Sequence, residues 1–302
     1  MAIEISSDIP LGESRVHAKD VPPLDPTLYA LSPEEAAFFK GATGIDDDEA
    51  LKAHIMVAQA KAYKVAPYPC IYGFRFLKMA ITHNPIYNDI IKIGRERSGA
   101  ILLDIGSCFG IDARKAAADG FPACNIVASD LRKEFLELSH VLFNTTKETY
   151  PGHFVAGDAF DPEILAVAPP CREVSWPRPD LETLTSLNPL RGYCAVINAS
   201  SFFHLFSEEK QLHVARALAG LLSPEPGSII CGLHIGAREA GIVIDNKADR
   251  LSTIFGHSPE SWTALWDGQV FEKGEVKVDA TLRLHGQLGS EIYLLYWSVV
   301  RL

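Results

Sequence analysis

The chain is poor in cysteine, has no long apolar run and has no basic stretch. Its six cysteines, at positions 70, 108, 124, 171, 194 and 231, are scattered, and the closest two are sixteen residues apart. That spacing offers neither a CxxC metal site nor a dense disulfide framework, so no metal is expected. No segment reaches the roughly 18 consecutive apolar residues of a membrane span, and Met1-Ala-Ile-Glu-Ile-Ser-Ser-Asp8 lacks a basic region followed by an apolar core. The expected compartment is the reducing cytoplasm. The formal charge is −10 and lysines and arginines do not cluster, so the positive footprint needed to hold a phosphate backbone is missing and nucleic acid is not an expected partner.

What is present is an ordinary globular composition, 302 residues with 47 % hydrophobic and 22 % charged, enough for one sizeable core and an accessory segment. The stretch around which the rest is arranged is Ala100 to Asp119. Ala100-Ile-Leu-Leu-Asp-Ile105 reads as a buried strand, and the Ala-rich second half reads as a helix, which makes Asp104 to Gly110 the turn between them. Gly106 and Gly110 open backbone angles closed to other residues, and the N–H groups of the following helix face the same space, so this is a seat for a nucleotide. Asp130 ends the next strand, twenty positions after Gly110, where a βαβ unit places the carboxylate that accepts from ribose hydroxyls. His153 to Asp158 and Cys194 to Asn198 add two more strands ending in polar residues at the same edge. The turn has neither the Gly-x-Gly-x-x-Gly of dinucleotide enzymes nor the Gly-Lys-Ser/Thr of a phosphate loop.

The Asp-x-Gly-x-x-x-Gly turn resembles that of class I S-adenosylmethionine-dependent methyltransferases, with Cys108 where that family usually has its middle glycine. The end of the chain agrees with this resemblance. Glu275 to Leu284 alternates apolar and polar residues, and Ile292 to Val300 is a second strand pattern joined to it through His285 to Ser290 as a hairpin. Leu103 to Asp112, Ala128-Ser-Asp-Leu131, Ala199-Ser-Ser-Phe-Phe-His-Leu-Phe206 and Phe255-Gly-His-Ser-Pro-Glu-Ser-Trp262 narrow the resemblance to fungal secondary-metabolite methyltransferases of the meroterpenoid type. The chain departs from them at Gly256 and Ser258, where relatives carry a basic residue and an asparagine.

The resemblance implies an α/β fold, a seven-stranded Rossmann-like sheet with a C-terminal antiparallel hairpin and a helical N-terminal lid. It also implies S-adenosyl-L-methionine as cofactor, contacted by Asp104, Gly106, Ser107, Cys108, Gly110, Asp130, Leu131, Asp158, Ala159 and Asn198. Residues 1–30, with Pro10, Pro22, Pro23 and Pro26, read as an extended arm, 31–98 as the helical lid, and 99–302 as the cofactor-binding domain. Within the lid, helices are expected from Ser32-Pro-Glu-Glu, over Ile45 to Ala66, and over His83 to Gly94. Short helices are expected after Asp161 and over Asp180 to Leu187, and a longer one from Ser207 to Leu222. The pocket for the methyl acceptor is expected to be lined by Tyr68, Tyr72, Arg75, Phe76, Phe203, His234 and Trp262, with core packing an equal reading for Tyr68 and Tyr72.

The implied reaction is methyl transfer to an oxygen, carboxylate or phenol, of a small lipophilic terpenoid or polyketide acid. His204 and His257 are the candidates for a general base, which a phenol needs and a carboxylate does not. C- or N-methylation of a similar metabolite, and a non-catalytic methyltransferase-like regulator, stay open at this point, as does a homodimer embraced by the proline-rich arm.

Overall fold

The apolar runs form the sheet in the computed structural model, which describes residues 21–247, 250–285 and 292–302. β1 (Ile101–Ile105) is buried over its whole length, as a central parallel strand covered on both faces must be. It pairs in parallel with β2 (Ile126–Asp130) on one side and β4 (Cys194–Asn198) on the other. β3 (His153–Ala156) and β5 (Ile229–Gly236) extend the parallel part outward. β9 (Ile292–Arg301) then runs antiparallel to both β5 and β8 (Val276–His285). The order is β3-β2-β1-β4-β5-β9-β8, so the crossover direction reverses between β1 and β4, at the edge where open α/β sheets bind ligands.

The N-terminal segment is helical, with shorter pieces than the periodicity predicts. α1 (Pro33–Thr43) starts with a capping box in which Ser32 and Glu35 satisfy each other's backbone N–H. α2 (Asp48–Val65) begins three residues later than Ile45 because Asp47 accepts from the Ala50 N–H and sets the cap there. The proline- and aromatic-rich stretch forms only the single turn α3 (Pro69–Tyr72) and two 3₁₀ turns, and α4 (Tyr87–Glu96) follows. Of the proline-rich arm, residues 1–20 lie outside the described residues. The rest runs along α2, where the Tyr63 hydroxyl donates to the Pro22 carbonyl at 2.9 Å.

This segment has no core of its own among the described residues. Phe39, Leu51, Ile55, Ala62, Phe74 and Phe76 pack with Phe109 and Ile111 at the start of α5 (Ile111–Ala118) and with Phe135 and Leu142 of α6 (Lys133–Leu142). Phe76 and Phe109 lie 4.7 Å apart between ring centroids, which joins the segment to the glycine turn itself. Phe76→Ala removes a side chain 6 % exposed. It is expected to lower the unfolding free energy by about 3–5 kcal/mol, read as a drop in the urea midpoint at unchanged slope.

Two expected helices are absent. Asp161 caps only a turn, accepting from the Glu163 N–H. The carbonyls that would continue a helix are taken from a distance: Asn188 Nδ2 donates to Pro162 and Glu163, and Asn188 Oδ1 accepts from the Ala166 N–H. Asp180 to Leu187 yields one 3₁₀ turn, Leu181–Thr183, since the Leu187 N–H goes back to the Ile164 carbonyl. Tertiary hydrogen bonds override local caps at both places. α7 (Glu208–Leu221) forms as expected, with Ser207 accepting from the Lys210 N–H.

Between β5 and β8 the chain adds elements that the sequence pattern did not suggest. β6 (Gly241–Lys247) and β7 (Arg250–Gly256) form a separate antiparallel pair, and α8 (Pro259–Trp266) follows, capped by Ser258 in a second capping box. The connection within the C-terminal hairpin, residues 286–291, lies outside the described residues. No helix among the described residues is long and apolar enough to cross a membrane.

Candidate active site

The turn after β1 has the geometry its glycines call for. Gly106 and Gly110 both take φ near +69°, and Cys108 between them is forced into the same left-handed region at φ +53°. A Cβ on Gly106 would lie 2.5 Å from the Phe202 ring, so only glycine lets the segment after β4 close on the turn. The Cys108 thiol is buried, which raises its pKa well above the ordinary value and leaves it an inert protonated group. Its backbone carries the contact that matters: the Cys108 N–H donates to Asp130 Oδ2 at 2.9 Å, while Asp130 Oδ1 accepts from the Arg132 N–H at 2.9 Å. Burial raises the Asp130 pKa, these N–H donors oppose the shift, and two acceptor positions on the carboxylate remain for hydroxyls.

Beneath the turn, three buried side chains form one polar knot. Asn198 at the end of β4 uses both hydrogens of its amide nitrogen, one toward Asp104 Oδ1 at 2.7 Å and one toward Asp112 Oδ2 at 3.1 Å. Asp112 Oδ1 accepts from the Ile81 N–H at 3.1 Å and so pins the N-terminal segment to the first turn of α5. Asp104 Oδ2 and Ser107 Oγ are buried without a hydrogen-bond partner. Burial, and for Asp104 the neighbouring Asp112, raises both carboxyl pKa values, that of Asp112 to about 6. Asp112 is the residue the sequence reading missed, because an acid in a helix's first turn is usually a solvated partner of the dipole.

Along the same edge Leu131 is 54 % exposed, an apolar side chain directly after Asp130. Asp158 is exposed in the turn after β3, accepting from the Phe160 N–H, with Ala159 half-buried beside it. These residues fit the cofactor of the class: a carboxylate with spare acceptors for a ribose, an open apolar face for a ring, and an unpartnered carboxylate oxygen for an ammonium.

On the other side of β4 the structure gathers His204, His234 and His257 with a group of aromatic rings. His234 on β5 stands between Gly232 and Gly236, whose missing side chains leave room for Trp297 and the His257 loop. It is 1 % exposed, and its ring centroid lies 4.7 Å from that of Trp262 and 5.8 Å from that of Phe203. His257, 3 % exposed, pairs through Nδ1 with Ser261 Oγ at 2.9 Å, and its ring lies 5.1 Å from Trp262. Burial lowers the His257 pKa to about 4; burial, helped by the neighbouring His204 and His257, lowers that of His234 well below its usual value. His204 is half-buried on the 3₁₀ turn Phe203–Leu205. In this group His234 Nε2, His257 Nε2, Trp262 Nε1 and Trp266 Nε1 are buried without hydrogen-bond partners. Each such group costs about 1–3 kcal/mol if left unpaired.

The residues expected to line an acceptor pocket therefore divide. Phe76, Phe203 and Trp262 are buried, at 6 %, 0 % and 0 % exposure. Tyr68 packs edge-on against the buried Phe135 and its hydroxyl pairs with Arg132, while Tyr72 lies against Tyr63; both Tyr68 and Tyr72 are half-buried. Arg75 is exposed on the 3₁₀ turn Arg75–Leu77.

A sheet of this order, closed by an antiparallel pair and carrying a glycine turn and an acid after its first two strands, is the class I methyltransferase arrangement that the sequence resemblance implies. Comparison with known sequences narrows the class. Residues 24–77 match the family model described as "Meroterpenoid methyltransferase N-terminal domain". "Methyltransferase adrK" of Penicillium roqueforti is 30% identical over 232 residues, 76% of this chain and 74% of that protein. "O-methyltransferase phiE" from a fungal species is 31% identical over 226 residues, 75% of this chain and 67% of that protein. The "Asnovolin E/Chermesin D methyltransferase nvfJ" of Aspergillus novofumigatus is 29% identical over 245 residues, 81% of this chain and 74% of that protein. The chain belongs to the family of fungal methyltransferases that contains adrK and phiE.

Proposed function

We propose that the protein transfers a methyl group to a carboxylate oxygen of a small lipophilic secondary metabolite. The observation that carries this reading is the burial of His234 and His257 beyond β4, which lowers the pKa of both. A general base works best with a pKa near the working pH, and an imidazole lowered to about 4 is a poor one for a phenol of pKa about 10. A carboxylate needs no base. The cofactor supplies an electrophilic methyl group on sulfur. A carboxylate would take that methyl group on one oxygen, the C–S pair returning to sulfur, and would leave no proton for the histidines of this chain to move. Opposite charges vanish in this step, so surroundings as apolar as Phe202, Phe203 and Trp262 favour it over water.

In this reading Asp130 and Leu131 hold the ribose and adenine, Asp158 and Ala159 flank the adenine, and Asp104 and Ser107 face the amino acid end. Residues 31–98, tied to the glycine turn by Phe76 and Phe109, close one side of the acceptor pocket. The name of phiE, an O-methyltransferase, and the family's meroterpenoid description agree with a lipophilic acceptor.

The test is release of S-adenosylhomocysteine with matched lipophilic acids and phenols between about pH 6.5 and 9. The expected result is turnover of acids at a rate flat across this range, because their carboxyl groups are ionised throughout. Turnover of phenols alone, rising with pH, would replace the carboxylate by a hydroxyl acceptor.

A further inference from the structure

Trp297 on β9 lies opposite Gly232 in the register of β5, and its indole N–H donates to His234 Nδ1 at 2.9 Å. An indole nitrogen can only donate, so His234 Nδ1 carries no proton and the neutral ring must bear its hydrogen on Nε2. That Nε2–H is buried and has no partner. The Trp262 indole N–H, on the ring next to it, is in the same condition, and both side chains are more than nine-tenths buried. Native interiors leave few donors unpaired; Trp266 Nε1 is a third in this cluster, and the two on the neighbouring His234 and Trp262 rings beside the end of β4 point to a group that accepts hydrogen bonds and is itself brought in from outside. Phe203, Trp266 and Trp297 enclose the pair, the Phe203 ring lying 4.9 Å from Trp262 and 5.6 Å from Trp297.

We propose that the His234 Nε2–H and the Trp262 Nε1–H hold the carboxylate oxygen of the acceptor that does not receive the methyl group, with Trp297 as a positioning residue that keeps His234 in its donating tautomer. The assignment rests on the carboxylate reading above. Neutral N–H donors suit this task better than a cation, because they orient the carboxylate without tying up the charge that the sulfonium attracts. They also set the substrate class: a lipophilic acid is retained and the corresponding alcohol, which offers one weak acceptor in place of a charged pair of oxygens, is not.

The experiment uses the full chain saturated with S-adenosylhomocysteine and labelled with nitrogen-15 in its tryptophan and histidine rings. Dodecanoate is titrated as the probe and dodecan-1-ol as its uncharged control, with binding followed separately by calorimetry. The expected result is movement of the Trp262 indole and His234 Nε2–H resonances with dodecanoate and not with the alcohol. Dodecanoate that binds by calorimetry yet leaves both resonances in place overturns the assignment, since the acid then sits elsewhere and the two donors serve a buried water or nothing. Equal movement with the alcohol overturns it too. No binding of dodecanoate, together with methylation of phenols, removes the carboxylate reading itself and this inference with it.

Trp297→Phe gives a second readout. It should let both His234 tautomers appear in the nitrogen spectrum and raise KM for an acid acceptor about tenfold, at unchanged affinity for S-adenosylhomocysteine. A single Nε2–H tautomer and an unchanged KM in that variant would remove Trp297 from the role.

Discussion

Asp130→Ala is expected to weaken S-adenosylhomocysteine binding by at least about a hundredfold, measured by calorimetric titration. Two losses combine. The carboxylate that would accept from the ribose hydroxyls is gone, and hydrogen bonds to a charged group contribute about 1.5–3 kcal/mol each. The Cys108 N–H and the Arg132 N–H also lose their acceptor, so the left-handed Cys108 is no longer tied to the end of β2. Two ribose contacts alone amount to roughly 3–5 kcal/mol, and 1.4 kcal/mol is a factor of ten. Asp130→Asn keeps one acceptor oxygen but turns an NH₂ toward one of the two backbone N–H groups, so an intermediate loss is expected. If Asp130→Ala binds the product less than tenfold more weakly than the parent chain, Asp130 does not hold the ribose.

Asp130 was legible in the sequence for the reason that makes it testable. A parallel strand buried on both faces is a continuous apolar run, and the first polar residue after it marks the ligand edge, so Asp104, Asp130 and Asn198 could all be placed without coordinates. The acceptor side was not legible in this way. His234 lies within a strand whose eight residues are all buried, and nothing in Ile229 to Gly236 announces that one of them keeps an unpaired N–H. Its meaning comes from Trp297, sixty-three residues further along the chain. The same holds for Trp262, whose helix shows only once Ser258 and Ser261 are seen to cap it. Asn188 makes the converse point. Its side chain dissolves a helix that Asp161-Pro162 would start, and no local pattern carries that information. Caps and strand ends are local physics; the partners of buried polar groups are not.

The second large effect concerns protons. Asp104 and Asp112 are buried beside each other and share the amide of Asn198, and burial lifts Asp112 from 3.8 to about 6. Since the folded value lies above that of the unfolded chain, the native state binds more protons between about pH 4 and 6. The stability this confers is therefore present in full at low pH, falls as the pH rises through that window, and is absent above it. At 1.36 kcal/mol per unit the loss is about 3 kcal/mol for the cofactor-free protein. The cofactor works in the opposite direction. With the cofactor's ammonium beside Asp104 Oδ2, as proposed above, the ionised pair is favoured and binding expels a proton wherever the pair still holds one. Affinity for S-adenosylmethionine should therefore be weaker at pH 5 than at pH 7, about tenfold for a group that titrates near 6 as Asp112 does, and titrations in buffers of different ionisation heat should detect proton release on binding. Asp112→Asn keeps the acceptor for the Ile81 N–H but removes the like charge, which lets Asp104 ionise at lower pH. Its affinity should therefore vary less steeply between pH 5 and 7 than that of the parent chain, the burial of Asp104 remaining. An affinity that is flat over this range in the parent chain would mean that the pair is already ionised before the cofactor arrives, and that Asp104 Oδ2 is paired in solution by something other than a proton.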